Sequence, residues 1–244
     1  METSTTVTGN VLSDADIICE LDKSVIIHPF NKAQVAPCSY DVTLGHYYWV
    51  PNVSNLPRYL NPNNGQHIFQ YWGLDPTCIA TDCSGHAMYG ARKADTVTDS
   101  IVAKEYGVDV GDEVIVIPPG HVILAHTQEF IGGKHNITTM LKAKSTMGRC
   151  CMSICKDAGM GDSGYFNRWT LEIENHALVP IVLRVGQPVG QIVFFRTGNV
   201  SAPYSSRGQY QKTDVLEELI KNWSPLSMIP SKAVAVLRSI ENSS

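Results

Sequence analysis

Apolar residues recur with two periods along the chain, and the change from one to the other divides it. In residues 10–22, NVLSDADIICELD, Leu12, Ile17, Ile18 and Leu21 fall near helical spacing behind Ser13, a helix-capping residue type, which predicts a short helix. From about 24 to 50 the pattern shortens to β-prone runs, SVIIHPF, SYDVTL and HYYWV, broken by Pro and Asn. Residues 51–100 are rich in Asn, Gly, Pro, Thr and Asp and hold no clear period, so they read as a long insertion, partly loop, that ends near 108. β-signals return in DEVIVIPPGHVILAHTQEFI, NITTMLKAK, RWTLEIEN, VPIVLRV and QIVFFRT, each bounded by Gly, Pro or Asn. Short strands this close together predict an all-β sandwich or jelly-roll-like body. After 212 the period lengthens again: DVLEELIKNW and KAVAVLRSI look helical, with Pro225 and Pro230 between them. The expected organisation is a domain over 1–212 and a helical extension over 213–244.

Composition narrows the function classes. At 244 residues with 43% hydrophobic content the chain can bury a substantial core in one decorated domain. A formal charge of -4 argues against a general nucleic-acid or anionic-membrane surface, so any phosphate site must be local. No apolar run is long enough to span a bilayer, and METSTTVTGN lacks the basic start of a leader, so a cytoplasmic protein is expected. Seven cysteines, an odd number, read as free thiols. Cys78, Cys83 and His86, or Cys150, Cys151 and Cys155, could be metal half-sites, but neither group has the paired spacing of a zinc centre.

Two segments carry candidate chemistry. In MGDSGYFNRWTLEIEN the run GDSG reads as a tight hairpin turn, after which Trp169, Leu171 and Ile173 alternate with Thr170, Glu172 and Glu174. One strand face is then apolar and the other carries two carboxylates, an arrangement that a solvated face would also produce. Upstream, KSTMGR offers Lys144, Ser145 and Arg149 around Gly148 for charge-assisted contact with an anion, though without the order of a P-loop.

Taken together, APCSYDVTLG (36–45), KSTMGRC, GDSGYFNRWTLEIEN and GQPVGQIVFF resemble, in order and spacing, the superfamily of trimeric dUTPases and dCTP deaminases. The SYDVTLG element, Glu172 and the YSSRGQYQ stretch (204–211) resemble its deaminase branch. The resemblance covers roughly residues 10–50 and 110–212. It implies a mainly β, distorted jelly-roll or β-clip, dUTPase-like fold, and hydrolytic deamination of a deoxycytidine nucleotide, dCTP to dUTP plus ammonia. Glu172 would be general base and acid, with Ser145 and Arg149 positioning it and the water. The Ala158 carbonyl would accept from the 4-amino group, Asp162 would hold the sugar 3'-hydroxyl, and Tyr165 would crowd out a 2'-hydroxyl. Lys144, Gln191, Tyr204, Arg207 and Gln211 would reach base or phosphates. Mg2+ would enter with the triphosphate and zinc would be absent, since the H-x-E and P-C-x-x-C of zinc deaminases are missing. A homotrimer and feedback by dTTP are further implications.

Other readings stay open. A bifunctional enzyme would release dUMP and pyrophosphate, a dUTP diphosphatase would act on dUTP alone, and a nucleotide sensor would keep the fold without turnover. Three positions depart from the family pattern: Asn167 and Gly159 replace, respectively, Gly and a His or Gln, and RGQYQ replaces the usual Lys-Tyr-Gln.

Overall fold

Ser13 caps the first helix, α1 (Asp14–Glu20): its hydroxyl accepts from the Asp16 N–H at 3.2 Å while Asp16 reaches back to the Ser13 N–H at 3.1 Å. The computed structural model describes residues 10–243. The leader reading rests in part on residues 1–9, which lie outside the described residues. The chain continues through β1 (Val25–His28), β2 (Val35–Ala36), β3 (Ser39–Thr43) and β4 (Tyr47–Tyr48). The segment expected to be an insertion holds α2 (Gly65–Trp72), β5 (Arg92–Lys93), β6 (Asp95–Thr96) and α3 (Ser100–Tyr106). Then come β7 (Glu113–Ile117), β8 (Val122–Gly133), β9 (Ile137–Ala143), the one-turn helix α4 (Ser145–Arg149), β10 (Met152–Ser153), β11 (Met160–Gly161), β12 (Phe166–Asn175), β13 (Ile181–Arg184) and β14 (Pro188–Arg196). The chain ends in α5 (Leu216–Asn222) and α6 (Ser231–Glu241), as the helical period after 212 predicts.

Two antiparallel sheets make the body, in the orders β1-β8-β12-β10 and β11-β9-β14-β3-β2. Ile131, Leu141, Trp169, Leu171, Ile173 and Phe194, all buried, belong to the core that joins them. The mainly β expectation holds, and the sheets do not close into a barrel. The GDSG segment departs from the hairpin reading. The Tyr165 N–H bonds the Asp162 carbonyl at 2.9 Å, a tight turn, but β11 on one side pairs with β9 while β12 on the other pairs with β8. The turn therefore carries the chain from one sheet to the other.

Local signals explain the two helices inside 51–108. Asn64 accepts from the N–H groups of Gln66 and His67 at the start of α2, and Asp99 does the same for Ile101 and Val102 at the start of α3; each helix closes on a left-handed glycine, Gly73 or Gly107. α2 packs on α6. Ile68 of α2, Trp223, Met228 and Leu237 of the tail, and Trp49, Leu124 and Phe166 of the body form a second buried cluster. The Trp49 indole N–H donates to the Pro225 carbonyl at 2.9 Å, fixing the tail to the body. Among the described residues no helix is long and apolar enough to cross a membrane.

Candidate functional site

Strand parity sets up the site. Along β12, Trp169, Leu171 and Ile173 are buried, whereas Arg168, Thr170, Glu172 and Glu174 are partly exposed on the other face. Opposite Trp169 the partner strand bulges, since Arg168 pairs with Phe130 but Thr170 pairs with His126. The Thr127 hydroxyl holds this bulge, accepting from the Trp169 N–H at 2.9 Å and donating to the Glu129 carbonyl at 2.7 Å.

The two acids of this face differ sharply. Glu174 forms an ion pair with Lys156, whose hydrogen bond holds its carboxyl below the ordinary carboxylate range. Glu172 forms no ion pair among the described residues: burial pushes its carboxyl above the ordinary range, against smaller opposing pulls from backbone N–H groups and from the Lys156 charge. Its Oε2 is buried without a hydrogen-bond partner. An unsatisfied carboxylate oxygen is costly in a folded protein and marks a place where a ligand or water completes the site.

That carboxyl lines a cavity of about 460 Å³. Of the residues singled out from sequence, Ala158, Asp162, Tyr165, Glu172 and Tyr204 line it together. Tyr165 stands edge-on to Trp169 and to Tyr204, with centroids 5.3 and 5.1 Å apart. The arm after β14 is anchored here: the Tyr204 N–H bonds the Ser163 carbonyl at 2.9 Å. Asp162 and Tyr204 also line an adjoining cavity of about 340 Å³, which contains Arg207. Beside Glu172, the half-buried Cys155 thiol is pushed up to about 11 by burial, with the carboxylate adding to the effect.

Six of the expected residues lie outside this cavity, Arg207 in the adjoining one and five others elsewhere. Ser145 and Arg149 are exposed on α4, and Arg149 has no ion pair among the described residues. Lys144 precedes α4 and pairs with Asp41 of β3, whose Oδ1 is buried and unpartnered. Gln191 of β14 sits in register with that same Asp41. Gln211 is placed elsewhere too. It is 2% exposed, accepts from the Phe166 N–H at 3.0 Å and donates to the Gly164 carbonyl at 2.8 Å, so its amide clamps the arm onto β12.

The departures from the family pattern have structural reasons. Asn167 is buried and its Nδ2 donates to the Tyr210 carbonyl at 3.2 Å, which ties the arm down where a glycine could not. Gly159 lies so close to β9 that an added Cβ would meet the Leu141 carbonyl oxygen at 2.6 Å and the Cys155 Sγ at 3.3 Å. Sequence reasoning missed Arg168, Trp72, Trp223 and Met228, which line the same cavity. Arg168 was within reach, because extending the β12 alternation by one residue puts it on the acidic face. The other three come from α2 and the tail, which no local pattern joins to β12. Among the described residues no group of three or more His, Cys, Asp or Glu is placed to hold a metal ion.

A family model described as dCTP deaminase-like matches residues 84–197. A dUMP-forming dCTP deaminase from Methanococcus aeolicus is 32% identical over 190 residues, covering 77% of this chain and 84% of that protein. The enzyme of the same name from Streptomyces coelicolor is 30% identical over 198 residues, covering 80% and 85%. Among solved structures, the 2'-deoxycytidine 5'-triphosphate deaminase from Agrobacterium tumefaciens aligns with a TM-score of 0.50 at 18% identity, over 78% of this chain and 48% of that one, a likeness of fold.

Proposed function

The chain belongs to the dCTP deaminase family, and from that premise we propose that it deaminates a deoxycytidine nucleotide at C4, with dCTP as substrate. The observation that carries this reading is the unpartnered, buried Oε2 of Glu172 in a cavity shared with Ala158, Asp162 and Tyr165. An ionised Glu172 takes a proton from water as the hydroxide adds to C4, and passes that proton to the ring nitrogen N3. The same carboxyl then takes the proton of the new C4 hydroxyl and hands it to the amine, the C4–N4 bond breaks as the C4 carbonyl forms, and ammonia leaves. A carboxyl raised above its ordinary range suits both transfers, since proton exchange is fastest when donor and acceptor are matched near the working pH. The exposed Ala158 carbonyl accepts from the 4-amino group, and Tyr165 flanks the sugar whose 3'-hydroxyl Asp162 holds.

Ser145 and Arg149 enter from a second copy of the chain. Their exposure on α4, outside the cavity of their own subunit, supports a homotrimer whose sites lie between protomers. Lys144 and Gln191 neighbour α4 and come with it. dTTP, with the same sugar and phosphates, competes for the site.

A second reading concerns the product. The relatives named above are dUMP-forming, which favours dCTP plus two waters giving dUMP, pyrophosphate and ammonia over release of dUTP. Asp162 lines both cavities and could direct the second water at the α-phosphate, with Arg207 on the phosphates. Mg2+ would enter as the complex with the triphosphate, with Asp162 as a lining carboxylate able to hold it, and would supply charge neutralisation to the phosphates. Incubation with dCTP, dCMP and dUTP in Mg2+, followed by chromatography, tests both readings. Ammonia with dUMP and pyrophosphate is the expected outcome from dCTP. Ammonia with dUTP leaves deamination standing and removes the second hydrolysis. No ammonia from any cytosine nucleotide overturns the proposal.

A further inference from the structure

Residues 154–159 carry the chain from β10 to β11 and pass Glu172 on the way. Ser153, just before them, is in register with Glu174 of β12. The Lys156 ammonium pairs with Glu174, and the Lys156 N–H bonds the Glu172 carboxyl. At the far end the Gly159 carbonyl accepts from the Leu141 N–H of β9 at 2.7 Å. Between these ties stands Cys155. It packs on the core without lining the cavity, and its sulfur is approached by the Ala158 N–H in hydrogen-bonding contact. The fit on the other side is close, since a Cβ added at Gly159 would stand 3.3 Å from that sulfur. Burial keeps the group a thiol at neutral pH, so it is a poor nucleophile and sets no second anion beside the carboxyl. Nor does it bond the Glu172 Oε2, which stays open.

The consequence falls on the peptide between Ala158 and Gly159. With the Ala158 N–H held on one side and the Gly159 carbonyl on the other, the Ala158 carbonyl between them loses freedom to rotate, which a glycine neighbour would otherwise allow. Under the proposed function, on which this inference rests, that carbonyl accepts from the 4-amino group. We propose that Cys155 is a positioning residue: its sulfur, through the Ala158 N–H, holds the Ala158 carbonyl in line for the 4-amino group, while the same turn, through the Lys156 N–H, holds the Glu172 carboxyl.

Two substitutions in the full-length protein separate this role from packing. Cys155→Ser keeps an acceptor for the Ala158 N–H and loses apolar bulk, whereas Cys155→Val keeps the bulk and loses the acceptor. The expected result is a kcat/KM for dCTP within about 3-fold of the unaltered protein for Cys155→Ser and about 10-fold lower for Cys155→Val, mainly through KM, the size of one lost hydrogen bond. A packing role reverses that order, and the reversed order, or equal values in all three proteins, overturns the proposal. If Cys155→Val does not fold, Cys155→Ala replaces it, and an Ala protein as active as the Ser protein overturns the proposal in the same way. The loss should also be confined to ligands that carry the amine. The 2-pyrimidinone deoxynucleoside triphosphate, with hydrogen at C4, should bind the acceptor-less variant and the unaltered protein with equal Kd, and a loss as large as for dCTP overturns the role. If the unaltered protein releases ammonia from dCTP in any of these failures, the positioning role has failed and the deaminase reading stands. If no cytosine nucleotide releases ammonia, both fall.

Discussion

Glu172 and Glu174 sit two residues apart on one strand face, and their neighbours drive them in opposite directions. This difference is legible only in three dimensions. In sequence both are acids at alternate positions, and the resemblance alone favoured Glu172. Because the fold raises the Glu172 carboxyl, the stability it contributes is complete below the ordinary value of 4.5 and is lost as pH climbs through the raised value. Glu172→Gln should therefore melt higher than the unaltered protein near pH 8 and show no gain near pH 4, as read by thermal unfolding. The acid limb of kcat/KM against pH should lie above 4.5, because the base must be ionised. His126 works with the opposite sign. It is buried between Tyr47 and Trp223, donates from Nδ1 to the Thr127 carbonyl, and is pulled down to about 3 by burial. Its contribution is whole above 6.5 and declines as pH falls toward about 3. His126→Gln should flatten part of the acid loss of unfolding free energy in that window, measured by urea titration.

At the scale of elements, most strands and the helices α1, α5 and α6 were legible, because period-2 runs bounded by Gly, Pro or Asn and helical spacings of apolar residues are strong local signals. The helices α2 and α3 were not. At 8 and 7 residues they are too short for their periods to stand out, although each carries a cap and a closing glycine. The turn at Asp162 was visible, but which sheets it joins depends on pairing with β8 and β9, partners remote in sequence. Two glycines test how these elements hold the site. Gly159→Ala should push the Ala158 segment off β9, costing about 1–3 kcal/mol of stability and raising KM for dCTP. At Gly208 an added Cβ would meet the Tyr204 ring within 2.0–2.5 Å. Gly208→Ala should loosen the arm and raise KM with a smaller effect on stability, which steady-state kinetics and calorimetry separate.

For the whole molecule, residues 51–108 and the tail read as decorations because each was met separately along the chain. Their shared cluster with Trp49 and Phe166 is a product of contacts between distant segments, which no window of sequence contains. Trp223 anchors this cluster and the cavity wall at once. Trp223→Ala should cost about 3–5 kcal/mol in unfolding experiments and weaken nucleotide binding together with it. The proposed trimer places Ser145 and Arg149 across a subunit boundary. Light scattering should give three chains of 26.8 kDa. Mixing inactive Arg149→Met and Glu172→Gln chains should restore about a quarter of the sites, since random assembly pairs two intact halves at that frequency. No recovery in mixed trimers would place both residues in one subunit's site.

The most direct measurement is ammonia release from dCTP by Glu172→Gln, made on protein whose dCTP binding has been measured in parallel. Binding should persist while the rate drops by at least about 100-fold, the share that one proton-transferring group supplies. A variant that binds dCTP and releases ammonia near the rate of the unaltered protein would contradict the assignment of Glu172, and with it the chemistry proposed for the cavity.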